Sequence, residues 1–323
     1  MEAFKQMLIK VLVFVALAIP GYLLVKKKEL TQAQSGALSK LLMYVGMPFM
    51  ILKNCLNEKM QFSGEPLRMM GVVAIIGIAY TFAIFFVSTP LTDMEKDEKT
   101  KGMMRFCSVF SNSGFLGLPL AEAVFGAGSK EVIVIIVLNI ITNVLMYTLG
   151  VYLVSGDKNA MSLKKAFLNP VLIAFVIGVT VRLLDVKAYV PTEYYNSVEG
   201  YINNLAGLVT PVSMIILGMK MGGVNFADLF KSWKTYYVSA LKLVAFPLVI
   251  VAFALALKMV LPIITKEVVV GIFLAFGTPT AGLASTFSDN YDGDTQNAVA
   301  FTLGSTLLSV ITIPVIYWLI CLL

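Results

Sequence analysis

Apolar residues along this chain neither alternate with polar ones nor form a one-sided helical stripe. They run in ten blocks of 18 to 27 residues, at 4–25, 36–57, 67–89, 102–127, 131–154, 169–186, 199–220, 236–258, 266–289 and 296–322, with short connectors between them. At 1.5 Å per residue, each block is long enough to cross about 30 Å of hydrocarbon as a helix. The pattern predicts an all-α membrane protein of ten transmembrane helices with no appended soluble domain. The first block begins like a signal peptide, with Lys5 and Lys10 ahead of it, but continues through Leu23-Leu24-Val25 to Lys26-Lys27-Lys28 without a small-residue cleavage site. It therefore reads as a retained helix.

Three landmarks recur at about half the chain length. Met47-Pro48-Phe49 in the second span corresponds to Thr210-Pro211-Val212 in the seventh, an offset of 163. Ser111-Asn112-Ser113-Gly114 interrupts the fourth span and Gly277-Thr278-Pro279-Thr280 the ninth, with Asn112 and Thr278 offset by 166. Asn139 and Asn143 in the fifth span correspond to Ser305 and Ser309 in the tenth, again at 166. Five spans is an odd number, so the second half enters the membrane from the opposite face. The expectation is two inverted five-helix repeats, residues 1–156 and 157–323, forming one membrane domain. Both interruptions fall roughly 15–18 Å into their spans, near the bilayer midplane. Gly, Pro and polar residues at that depth unwind a helix and free backbone groups that lipid does not satisfy. A single proline kink is the simple reading of Pro48 or Pro211. Two polar breaks at matched depth point to a transport site instead.

Composition narrows the chemistry. Of 323 residues, 58% are hydrophobic and 14% charged, against about 45–50% and about 25% in soluble domains. There is no histidine, which removes Ser-His-Asp triads, His-ligated metals and imidazole relays. Cys55, Cys107 and Cys321 are widely separated, so neither a metal site nor a disulfide framework is expected. The net charge of +6 fits basic membrane loops rather than nucleic acid. Lys and Arg number fourteen on the side holding Lys26 and Lys99 and ten on the side holding Lys5 and Arg182. The positive-inside rule thus places both termini outside, in a multi-pass protein of the plasma (inner) membrane.

At the breaks the sequence resembles the auxin efflux carrier family, which includes plant auxin exporters and bacterial carriers of small organic acids. The resemblance rests on Asn112-Ser113-Gly114-Phe115-Leu116-Gly117-Leu118-Pro119-Leu120 through Phe125-Gly126, on Thr278-Pro279-Thr280-Ala281, on Asp294 through Ser305 and Ser309 to Pro314, and on Lys40 through Pro48. It covers the chain in order. It implies ten helices in inverted repeats, related to the bile-acid symporter architecture, with the fourth and ninth crossing at their unwound centres to form a substrate site. It also implies a homodimer and a scaffold of the first, second, sixth and seventh helices. Plant members carry a long hydrophilic loop between the halves; here only Ser155 to Asn169 intervenes.

If the breaks cross, the half-helices after them aim free N–H groups and positive dipole ends at one point, which favours a carboxylate. Asn112, Ser113, Thr278 and Thr280 add side-chain donors, Gly114 and Gly277 allow close backbone approach, and Pro279 completes the second break. Asn139 with Asn143, and Ser305 with Ser309, are i, i+4 pairs that either line the same cavity or bond between helices. Glu122 and Lys242 are gating or coupling candidates, unless they snorkel to an interface. Asp289, Asp292 and Asp294 lack the pattern of a calcium loop, and Gly126 to Lys130 lacks that of a P-loop.

The expected function is secondary active transport of a small organic anion by alternating access, with the lipid bilayer and an organic acid as partners. No cofactor is expected beyond a coupling Na+ or H+. The alternatives are a sodium- or proton-coupled cation exchanger or a passive channel on a similar crossed-helix fold. An exchanger needs a midplane carboxylate where the fifth span has Asn139 and Asn143. No acid/base or nucleophile constellation supports an enzyme.

Overall fold

A computed structural model describes residues 2–224 and 231–323. Among the described residues, eight helices are long and apolar enough to cross a membrane: α1 (Phe4–Lys26), α2 (Gln32–Leu56), α3 (Gly64–Thr92), α6 (Lys130–Ser155), α7 (Lys158–Leu183), α8 (Thr192–Gly222), α9 (Trp233–Lys258) and α12 (Thr295–Leu322). The other two apolar blocks are each divided. The first gives α4 (Glu98–Val109) and α5 (Ser113–Phe125), and the second gives α10 (Lys266–Phe276) and α11 (Ala284–Asn290). Among the described residues no strand forms, but one isolated antiparallel bridge joins Ser111 to Thr280.

Lipid-facing helices invert the soluble pattern. On α3, Ile75, Phe82 and Phe86 are exposed while Thr81, Ser88 and Thr92 are buried. The buried hydroxyls of Thr81 and Thr92 donate to carbonyls one turn back in their own helix, Gly77 at 2.8 Å and Ser88 at 2.9 Å. The helix thus satisfies its own polar groups where water is absent. On the α3–α4 connector, the Glu95 carboxyl lies below its usual range because Lys234, at the start of α9, donates a hydrogen bond to it.

The helix pairings fall into matched sets. Helix α3 packs on α4 and α6, as α9 packs on α10 and α12; α1 packs on α8, as α7 packs on α2; and α6 packs on α10, as α12 packs on α4. Helices α1 and α8 approach each other closely at glycines. A Cβ on Gly218 would stand 1.8 Å from the Ala18 carbonyl oxygen, and one on Gly21 would stand 2.1 Å from that of Ile215. The Gly218-x-x-x-Gly222 pair is therefore a backbone-to-backbone seam. Gly218→Ala should destabilise the protein by at least the roughly 1–3 kcal/mol of an overpacked core, because the obstacle is main chain and has no rotamer to yield. Thermal unfolding of the detergent-solubilised protein measures it. Gly36→Ala, whose Cβ would meet nothing within 4 Å, is the control.

Candidate functional site

The breaks originate in local sequence. Pro119 and Pro279 bring no N–H, so the turns around them cannot close as regular α-helix. Before Pro119 the chain makes a wide turn in which the Leu116 and Gly117 N–H groups both donate to the Asn112 carbonyl, each at 3.1 Å. Helix geometry leaves the first amides of α5 without intrahelical acceptors, and Gly114 and Phe115 of that turn line a cavity.

The two unwound stretches meet. The Asn112 N–H donates to the Pro279 carbonyl at 2.7 Å, and the Ala281 N–H donates to the Phe110 carbonyl at 3.0 Å. Around this pair, the Ser111 hydroxyl donates to the Phe276 carbonyl at 3.1 Å and the Thr280 hydroxyl to that of Cys107 at 2.9 Å. The positions 107/276, 110/279, 111/280 and 112/281 all differ by 169, so the crossing has a local two-fold axis through the Ser111–Thr280 bridge. Asn112 thus matches Ala281, whereas the sequence landmarks pair it with Thr278 at an offset of 166. Residue type marked the breaks, but the bridge sets their register.

Beside the crossing lies a small cavity, walled by Asn112, Gly114, Asn139 and Asn143 together with Phe115 and Met47. Asn143 Nδ2 donates to the Asn139 backbone carbonyl at 2.8 Å and to its Oδ1 at 3.1 Å, while Asn139 Nδ2 donates to Ser113 Oγ at 2.9 Å. Gly114 is needed for this approach, since a Cβ there would stand 3.0 Å from Asn139 Nδ2. Ala281, Gly282 and Leu283 line it as well; sequence reasoning missed them because none carries a polar side chain.

Other sequence-selected residues hold the crossing rather than line the cavity. Ser305 Oγ accepts from the Thr280 N–H at 3.2 Å. Ser309 Oγ donates to the Thr306 carbonyl at 2.7 Å within its own helix. Thr278 is fully buried, with its hydroxyl unpaired among the described residues; Gly277, Ser113 and Pro279 also lie outside the wall. Glu122 lies toward the far end of α5, paired with Lys53 at 2.9 Å and accepting from Asn54 at 2.5 Å, both on α2.

Two buried lysines flank the crossing. Lys242, 1% exposed, donates to Ser111 Oγ and to the Val109 carbonyl at 3.4 Å. Its ammonium therefore stands at the negative end of the α4 dipole. Lys220, read from sequence only as one of the basic residues that set orientation, is 7% exposed and donates to the Gly282 carbonyl at 2.9 Å and to Ser285 Oγ at 3.1 Å. A lysine in the last turn of an apolar run looks like a snorkelling residue, so no sequence signal separated it from the others.

A family profile described as membrane transport protein matches residues 6–161 and 157–317. An uncharacterized transporter of Methanothermobacter thermautotrophicus is 26% identical over 309 residues, 94% of this chain and 95% of the relative. The uncharacterized transporter YfdV of Escherichia coli K12 is 22% identical over 313 residues, 93% of each chain.

Proposed function

This chain belongs to the membrane transport protein family, that of the auxin efflux carriers, and on that premise we propose that it is a secondary transporter of a small carboxylate. The observation that carries the reading is the two-fold crossing of unwound stretches beside an asparagine-lined cavity. A carboxylate there meets the amide side chains of Asn112, Asn139 and Asn143 and the free backbone N–H groups opening α5. None of the residues lining the cavity is acidic, which speaks against a cation exchanger.

The architecture we infer is ten crossings in two inverted repeats, α1–α6 and α7–α12, with the divided helices as the fourth and ninth. The matched helix pairings support it, as does the constant offset across the bridge. In this reading alternating access moves the helix bundle that carries the crossing against a scaffold of α1, α2, α7 and α8, with both termini outside. The Lys53–Glu122–Asn54 cluster ties α2 to α5, and in this reading it closes the outer face.

Reconstitution into liposomes tests the function. Mono- and dicarboxylates, monovalent cations and neutral sugars are offered under imposed sodium and proton gradients. Carboxylate flux above that of the other classes is expected. Preference for cations or sugars overturns the proposal.

A further inference from the structure

Three cavities lie in series. The crossing cavity shares Asn112, Phe115 and Gly282 with a second small cavity between α2, α8 and α12. The second shares Ser39 and Lys220 with a third, roomier one, whose wall includes Gly36 and the exposed Asp289. Lys220 therefore stands at the neck between the solvent-facing cavity and the one leading to Asn112. Its ammonium has three protons, and its two acceptors, the Gly282 carbonyl and Ser285 Oγ, are neutral. The acid of the outer cavity, Asp289, accepts from Thr295 Oγ1 at 2.6 Å and attracts the Lys220 charge through space, with no hydrogen bond between them. A charged group this far out of water is costly unless its charge is used.

We propose that Lys220 is an anion-binding station on the path to the crossing, where a carboxylate pauses on the remaining ammonium proton before reaching Asn112. The identity of the anion rests on the carboxylate-carrier reading; the station itself rests on the cavity chain and the buried charge. Both present acceptors of Lys220 belong to the second break and the half-helix after it. An arriving anion that draws the ammonium away therefore releases Gly282, which walls both inner cavities, and Ser285 on α11.

Thiol labelling tests this without knowledge of the substrate. Cys55 and Cys107 are fully buried, so Cys321→Ala supplies a silent background. Ser39→Cys reports from the neck, and Gly36→Cys reports from the outer cavity. Each is labelled in detergent with a sulfonate-bearing (anionic) and a trimethylammonium-bearing (cationic) methanethiosulfonate.

With each rate divided by that of the same reagent with a free thiol in solution, the anionic reagent should react roughly tenfold faster than the cationic one at Ser39→Cys. At Gly36→Cys, in the cavity that holds Asp289, the ratio should be smaller. Lys220→Gln should remove the preference at Ser39→Cys, and Lys220→Arg should keep it. Equal rates at Ser39→Cys, no labelling there, or a preference that survives Lys220→Gln each overturn the station. The inward rise from Gly36→Cys to Ser39→Cys needs no change at Lys220, so it decides the matter even if Lys220→Gln does not fold.

Protection of Ser39→Cys by acetate, lactate or succinate separates the two proposals. Charge preference without protection by any carboxylate keeps the station and overturns the carboxylate reading. Carboxylate flux without charge preference does the reverse.

Discussion

Asn112→Ala should lower carboxylate flux in proteoliposomes by roughly tenfold to a hundredfold, the worth of a hydrogen bond to a charged group, while the melting temperature stays close to that of the unchanged chain. The two effects separate because Asn112 acts twice. Its main-chain N–H and carbonyl tie the crossing to Pro279 and open α5, and alanine keeps both. Only the side-chain amide facing the cavity is lost. Unaltered flux would remove Asn112 from the substrate's surroundings. A large fall in melting temperature would instead make its side chain structural.

The second large effect concerns the Lys242–Ser111 pair. In the presence of Lys242, Ser111→Ala should destabilise the protein by about 1.5–3 kcal/mol, because it leaves a buried ammonium with only the Val109 carbonyl. Lys242→Met removes the charge and fills the space with a side chain of similar length. On that background, Ser111→Ala forfeits only the bond to Phe276, worth about 1 kcal/mol. The double-mutant cycle, read by denaturant or thermal unfolding, should therefore give a positive coupling. Additive losses would show that Lys242 does not depend on the hydroxyl.

Much of this arrangement is legible in the chain. Hydrophobic run lengths locate the helices, since crossing hydrocarbon fixes a minimum length. The glycines and prolines near Asn112 and Thr278 locate the breaks, since they remove donors and permit close approach. What stays hidden is register and direction. The offset of 166 that aligns Asn139 with Ser305 also aligns Asn112 with Thr278, yet the bridge pairs Asn112's position with Ala281. No side-chain property of Ala281 announces this, because the tie is made by backbone.

Polarity alone also does not reveal which way a hydroxyl faces. Thr280 and Ser305 spend their oxygens holding the crossing together, while Gly282 and Leu283, with no polar side chain, form cavity wall. Glu122 and Lys220 are both charged residues within or near spans. Only the folded chain separates the first, matched with Lys53 on a neighbouring helix, from the second, held by neutral oxygens at the neck of a cavity.

The bridge at Ser111 and Thr280 has a consequence for anyone surveying this protein by conventional replacement. Its two central links are amide to carbonyl, Asn112 to Pro279 and Ala281 to Phe110, and amides are common to nineteen of the twenty genetically encoded residues. Ala281 is buried, so a library there would report losses that follow side-chain bulk and polarity, and the donor itself would leave no trace among them. Proline alone deletes the donor, so the joint where the two breaks meet would surface only as a loss at proline greater than its size predicts.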